Sequence, residues 1–266
     1  MPEIEANGQS LHVQDSGGDG PPIVFLHGFL MDGDMFDPQV AVLSPSCRCI
    51  RIDSRASGRT VWDGQPFSLY DTVSDVVAVL DALEIDAAVV VGMSMGGYTA
   101  LRLALRHPER LRGVVLIGTR HSADPEAVHG QYIEAREVWK AHGAVDQLAQ
   151  GLMTAIIGPQ DQNAALWDTW MPKWKQYPGA SYAAATNALL ERDDLPDDAI
   201  RGITLPALVV HGVEDLGVPL ASGEALAALL PGCETIVRVA GASHSVNLTH
   251  PEAVNPPLQA FLASLD

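Results

Sequence analysis

Val89-Val90-Val91-Gly92-Met93-Ser94-Met95-Gly96-Gly97 is the stretch that decides the fold. A continuous apolar run of strand length, suited to burial on both faces of a parallel sheet, ends in Gly-x-Ser-x-Gly. An Ala- and Leu-rich segment then runs to Arg106 and stops near His107-Pro108, as a helix would. A serine that is to project its oxygen from a sheet edge needs a sharp strand-to-helix turn. Small residues two before and two after it make that turn possible. The plainer reading, a turn serine packed by glycines, requires neither the strand before nor the helix after. Both are present, so Ser94 is read as a nucleophile. The start of the following helix adds free N–H groups and partial positive charge beside it.

Working outward, residues 23–26, 47–52, 111–117, 205–211 and 235–239 repeat the short apolar pattern. Residues 10–15 form an early strand or hairpin ahead of the turn-rich Gly17-Gly18-Asp19-Gly20-Pro21-Pro22. Helical segments separate the runs: 35–43, 222–230, 251–265, and 70–83 with Val73, Val76, Val77, Leu80 and Leu83 on one face. Pro256-Pro257 is expected to bend or delay the last helix. Strands alternating with helices imply right-handed crossovers and a mostly parallel sheet flanked by helices, an α/β fold. From about 125 to 193 the rhythm breaks into roughly four helices divided at Gly143, Gly158-Pro159 and Pro178-Gly179. The expected organisation is a core of residues 1–120 and 200–266 with a helical cap inserted at 121–199.

The chain has 266 residues, 47% of them hydrophobic and 18% charged, with a net charge of −17. That composition supports a sizeable core and argues against disorder. The negative charge disfavours nucleic acid and anionic membrane surfaces as partners, leaving a small-molecule substrate. No apolar run approaches a bilayer span, and the first residues carry no secretory pattern, so a cytoplasmic protein is expected. Cys47, Cys49 and Cys233 form no disulfide framework. The first two lie two apart in a strand and read as buried reduced thiols. Asn247-Leu248-Thr249 matches a glycosylation triplet by chance.

A serine hydroxyl needs a base, and the chain offers nine histidines. His12, His107, His129, His142 and His211 sit in strands, at helix ends or in the insertion, where structural or solvated roles are the better reading. His244 follows the last strand in Gly241-Ala242-Ser243-His244, on the sheet edge that carries Ser94. His250, at the start of the last helix, is a distant second. The base needs an orienting carboxylate. Asp215 follows the strand at 205–211, with Glu214 its rival by proximity; Asp124 lies too far beyond the strand at 111–117. An oxyanion hole needs two donors, assigned to the backbone N–H groups of Met95 and of Phe29 in the turn His27-Gly28-Phe29. His27 is a supporting turn residue.

Taken together, His27-Gly28-Phe29, the loop Asp53-Ser54-Arg55-Ala56-Ser57-Gly58-Arg59-Thr60, the Gly92 to Gly97 elbow, Asp215 with Val218-Pro219, and His244 resemble the α/β-hydrolase superfamily over almost the full chain. The stretch from Gly92 to Gly118, with Arg106-His107-Pro108-Glu109-Arg110-Leu111, is similar to the branch of small esterases, enol-lactonases and cofactor-free haloperoxidases. Two departures stand out. Arg55-Ala56-Ser57-Gly58 replaces the branch's Arg-Gly-x-Gly, and Ser243 replaces a glycine before the histidine. The resemblance implies a Ser94–Asp215–His244 triad and no cofactor, and the sequence shows no metal-spaced His/Cys cluster. Ser94 also separates the chain from the epoxide hydrolases and haloalkane dehalogenases of this fold, which use an aspartate nucleophile.

The insertion is rich in aromatic residues, with Trp167, Trp170, Trp174 and Tyr177 on one helical face. Most of them are read as packing between cap and core. Trp139, Trp167 and Trp170, with Phe29, Met93 and Met95, are candidates for an apolar substrate pocket, which favours a small, largely uncharged acyl substrate. Arg120 and His121, at the start of the insertion, fit a hinge or surface role at least as well as substrate contact. The expected activity is hydrolysis of a carboxylic ester or lactone. Carbon–carbon bond hydrolysis, amide cleavage and perhydrolysis share the same triad. A non-catalytic ligand binder on this fold is the contrasting class.

Overall fold

The chain opens on a hairpin because Asn7 and Gly8 both take positive φ, 51° and 77°, as a two-residue turn with the right twist requires. They join β1 (Glu3–Ala6) to β2 (Gln9–Asp15). The computed structural model describes residues 3–265. It continues through β3 (Pro22–Leu26), α1 (Asp37–Leu43), β4 (Arg48–Ile52), α2 (Leu69–Ala82), β5 (Ala88–Met93), α3 (Met95–Arg106) and β6 (Leu111–Ile117). Then come α4 (Glu126–His142), α5 (Asp146–Ile156), α6 (Ala164–Lys175), α7 (Gly179–Leu190) and α8 (Asp197–Arg201). The chain closes with β7 (Ala207–Gly212), α9 (Leu220–Leu229), β8 (Ile236–Val239), α10 (Val246–Thr249) and α11 (Pro251–Ala263).

The strands form one eight-stranded sheet in the order β1-β2-β4-β3-β5-β6-β7-β8. β1 and β2 pair antiparallel, as do β2 and β4; every later pairing is parallel. The direction of winding reverses between β3 and β5, since β4 lies on one side of β3 and β5 on the other. In an open parallel sheet the crevice outside the carboxyl ends at such a reversal is where ligands bind.

Alternate strand residues point to opposite faces, and two apolar clusters result. Val24, Leu26, Val90, Leu116 and Val209 pack on one side with residues of α2, α3 and α9. Phe25, Val91, Met93, Ile117 and Val210 pack on the other with residues of α1 and α11. The aromatic residues of α4, α6 and α7, among them Trp139, Trp167, Trp170, Trp174 and Tyr182, belong to this second cluster.

The last helix, α11, starts at Pro251 as its sequence pattern indicates, where a missing N–H costs nothing, and Pro256 and Pro257 do not delay it. Buried Val254 and Leu258 hold it to the core. The short α10 ahead of it carries no readable period. It contains Asn247, which is fully buried; its side chain donates to Met35 O at 3.2 Å and to Gln39 Oε1 at 3.3 Å. The asparagine of the Asn-Leu-Thr triplet is therefore inaccessible in the folded chain. Cys47, just before β4, and Cys49, within it, are free thiols, half-buried and buried respectively.

Candidate active site

Ser94 stands between the last residue of β5 and the first of α3 with φ 50° and ψ −112°, a conformation that non-glycine residues adopt only under constraint. The constraint is visible in its neighbours. A Cβ on Gly92 would lie 2.4 Å from Gly96 O, and one on Gly96 would lie 2.0 Å from Leu26 O. Only glycines allow the turn to close on itself and the helix to approach β3. The Ser94 N–H donates to Ile117 O at 2.9 Å, pinning the turn to β6.

Ser94 Oγ lies 2.9 Å from His244 Nε2, and His244 Nδ1 lies 2.7 Å from Asp215 Oδ2. The serine, histidine and aspartate are 9%, 6% and 7% exposed. Burial works to raise the Asp215 pKa. The charge of His244, hydrogen bonds from His211 and His244, and the Val218 N–H outweigh it and hold the carboxyl well below the usual carboxylate range. An ionised Asp215 accepts the Nδ1–H of the imidazole. That leaves the Nε2 lone pair facing the serine hydroxyl, the arrangement proton abstraction requires.

Asp215 is itself fixed on every side. Its Oδ1 accepts the Gly217 and Val218 N–H groups at 2.8 and 2.7 Å. His211, the last-but-one residue of β7, places Nε2 2.8 Å from Val218 O and 3.3 Å from Asp215 Oδ2. Since a carbonyl can only accept, His211 Nε2 carries the hydrogen and faces both oxygens. Sequence reading assigned His211 a structural role; its position four residues before Asp215, at the end of the same strand, is the signal that links them. The rivals fall away. Glu214 is exposed, Asp124 is held in a buried cluster with Arg120 and Arg192, and His250 Nδ1 pairs with Thr249 Oγ1.

The turn after β3 lies against the serine: a Cβ on Gly28 would be 3.5 Å from Ser94 Cβ. His27 is fully buried, faces Gly28 O through Nδ1 at 2.8 Å and accepts the Ser54 N–H at Nε2 at 2.9 Å. It ties this turn to the loop after β4. In that loop Ala56 takes φ 58°, so alanine adopts the left-handed backbone that the resembled pattern assigns to glycine. Ser245 N–H donates to Ile156 O at 2.8 Å, joining the end of α5 to the histidine loop.

A cavity of about 90 Å³ adjoins Ser94 and His244. Phe29 and Met93 line it, as do Tyr98, Tyr132, Ile156 and Leu189. Tyr98 lies one helical turn beyond the serine, a spacing that marks it in the sequence; Ile156 and Leu189 carry no such signal. Four other candidates lie elsewhere. Met95 points into the apolar core, and Trp139 stacks on Tyr182 at 4.3 Å. Trp167 donates to Gly158 O at 2.9 Å, and Trp170 lies under the Lys173 ammonium at 4.4 Å. Among the described residues no cluster of three or more His, Cys, Asp or Glu side chains is arranged to hold a metal ion, and no helix is long and apolar enough to cross a membrane.

A family model for the alpha/beta hydrolase fold matches residues 21–136. A non-heme chloroperoxidase of Streptomyces lividans is 30% identical to the chain, covering 97% of it and 98% of the relative. The chain belongs to the α/β-hydrolase fold family. Within the family it is also similar to a pimeloyl-[acyl-carrier protein] methyl ester esterase of Xanthomonas axonopodis pv. citri (strain 306), at 30% identity over 96% of the chain and all of that relative. The crystal structure of the enol-lactonase from Burkholderia xenovorans LB400 superposes with a TM-score of 0.88 and 28% identity, covering 97% of this chain and 98% of that one.

Proposed function

We propose that this α/β-hydrolase family member is a serine hydrolase that cleaves a carboxylic ester or lactone of a small, largely apolar substrate through an acyl-enzyme on Ser94. The observation that carries the reading is the buried chain Ser94 Oγ–His244 Nε2 at 2.9 Å and His244 Nδ1–Asp215 Oδ2 at 2.7 Å, at the sheet's switch point. Ser94 Oγ attacks the carbonyl carbon while His244 Nε2 takes its proton. Negative charge collects on the carbonyl oxygen. There it meets the Phe29 N–H and the Met95 N–H, which at the first helical position has no intrahelical acceptor. When the tetrahedral intermediate collapses, the C–O bond to the alcohol breaks and His244 returns the proton to the leaving oxygen. Water, deprotonated by His244, then repeats the attack on the acyl-enzyme and frees Ser94. Asp215 keeps the imidazole in one tautomer throughout and stabilises its positive charge. The enol-lactonase and methyl ester esterase among the relatives support this class of bond. In this mechanism helices α4–α7 act as a cap, of which α4, α5 and α7 wall the cavity with Tyr132, Leu152, Ile156 and Leu189.

Hydrolysis of p-nitrophenyl acetate and butyrate, with fluorophosphonate labelling of the protein, tests it. Wild type turns over at least one ester and is labelled; Ser94→Ala loses about 10⁴-fold or more in kcat and is not labelled. Equal labelling or equal turnover in the two proteins overturns the assignment of Ser94.

A further inference from the structure

A second cavity, of about 650 Å³, opens between the loops after β3 and β4 and helix α6. It is several times the size of the chamber at Ser94 and does not include the serine. Leu30, Asp32, Arg59, Trp170, Lys173 and Tyr177 lie along its walls. Among the described residues only Met31 borders both spaces.

The segment from Gly28 to Asp32 is the partition. Gly28 and Phe29 face the Ser94 chamber, while Leu30 and Asp32 face the large cleft. Met31 donates its N–H to Gly28 O at 3.2 Å, which closes the turn, and Leu30 takes φ 62° within it. Phe29 is braced by packed rings. Phe29 meets the Tyr182 ring edge-on at 5.1 Å, and Tyr182 is stacked on Trp139. Met31 differs: it is 1% exposed, unbranched, and touches space on two sides. A methionine has three rotatable bonds and a polarisable thioether, and so fills an irregular gap between two surfaces. The chamber it borders, at about 90 Å³, is small for a ligand site and suits a short chain. Cavities that bury larger ligands begin at about 300 Å³, a size the cleft beyond Met31 exceeds.

We propose that Met31 is a specificity-determining residue: its side chain shuts the Ser94 chamber off from the large cleft and so limits the chain length of the ester that reaches the serine. This rests on the serine-hydrolase reading of Ser94. Shortening Met31 joins the two spaces, and the cleft then receives the substrate chain that the chamber refuses.

The test is a chain-length profile of kcat/KM. One series varies the acyl chain in p-nitrophenyl acetate, butyrate and octanoate; the other varies the alcohol in methyl, butyl and octyl acetate. In wild type, activity falls at least tenfold from the four-carbon to the eight-carbon member of one series. Met31→Ala raises the eight-carbon member of that series at least tenfold relative to the acetate or methyl ester, and Met31→Leu keeps the wild-type profile. Met31→Val, which removes less of the side chain, carries the same test should the alanine variant not fold, as judged by its melting temperature. A flat wild-type profile overturns the proposal. So does a shortened variant that hydrolyses short esters with an unchanged profile, and in both cases the reading of Ser94 survives. Absence of both turnover and fluorophosphonate labelling in wild type overturns the two together.

Discussion

At the scale of the single residue, His211 is the group whose importance exceeds its visibility in the sequence. It is fully buried, and its Nδ1 has no partner among the described residues, so its one polar function runs through Nε2 to Val218 O and Asp215 Oδ2. A Cβ on Gly223 would lie 2.3 Å from that Nδ1, which shows how tightly α9 encloses the ring. His211→Phe removes a donor from Asp215. The carboxyl pKa then rises toward its ordinary range, and the more basic carboxylate draws a proton more strongly onto the imidazole it faces. The acid limb of the kcat/KM profile should move to higher pH. kcat should fall about tenfold, in line with the 1–3 kcal/mol carried by a buried hydrogen bond, with KM little changed. His211→Gln, whose Nε2 reaches a similar point, should restore both. A profile that keeps its acid limb in His211→Phe while the melting temperature drops would make His211 a packing residue only. Ser94, His244 and Asp215 were legible because each ends a strand pattern in a Gly-containing turn. His211 was not, because inside a buried strand a histidine that braces a carboxylate and a core histidine look alike.

At the scale of the element, helix boundaries show both what sequence can reveal and what it cannot. α2 starts at a capping box: Ser68 Oγ accepts the Asp71 N–H, and Asp71 Oδ2 accepts the Ser68 N–H at 2.7 Å. It ends in a Schellman arrangement. Ile85 N–H donates to Leu80 O at 2.8 Å and Glu84 N–H to Asp81 O at 3.1 Å, with Glu84 at φ 56°. Glycine is the usual occupant of that position. Glu84 is exposed, so its side chain sacrifices no packing when removed. Glu84→Gly is expected to stabilise the protein by about 1 kcal/mol, from relief of the left-handed strain. That should raise the melting temperature by about 2–4 °C without altering ester hydrolysis. An unchanged or lowered melting temperature would count against the strain. The strands and most helices were readable because burial on two faces gives continuous apolar runs and burial on one gives a period of 3.6. α10, at four residues, is shorter than any period. The cap side of the cavity lining was the least legible part: Tyr132, Ile156 and Leu189 come from α4, α5 and α7, and only packing between those helices selects them over Trp139 and Trp167.

At the scale of the whole molecule, the helical insertion is fastened to the core by charge as well as by apolar contact. Lys173 of α6 lies 2.8 Å from Asp32 and 2.8 Å from Asp34 in the loop after β3, and Arg59 reaches the same Asp34 at 2.9 Å. Burial opposes the ionisation of Asp34, but hydrogen bonds and charge from Lys173 and Arg59 prevail and bring its pKa down to about 2. Burial likewise works to lower the Lys173 pKa, and the two carboxylates raise it. The direction of the pH effect follows from these two shifts. The unfolded chain protonates Asp34 near about 3.9, above the folded value, so ionised Asp34 favours the folded state above that pH. Its contribution disappears as pH falls from about 4 through 2. Lys173 is raised above its unfolded value of about 10.4. Its contribution is complete below that pH and is lost as pH rises through the folded pKa. The fastening is therefore intact between about pH 4 and 10 and fails at both ends. Melting temperatures of wild type and Lys173→Met, measured at intervals from pH 2 to 11, should differ most across the middle of the range and converge toward either end. A constant difference at all pH values would mean that Lys173 does not act through the two aspartates and that its contribution lies within α6, where its ammonium sits 4.4 Å from the Trp170 ring. Because Asp32 and Lys173 also border the large cleft beside Met31, losing the fastening at acid pH should loosen the cleft before it reaches the Ser94 hydrogen-bond chain.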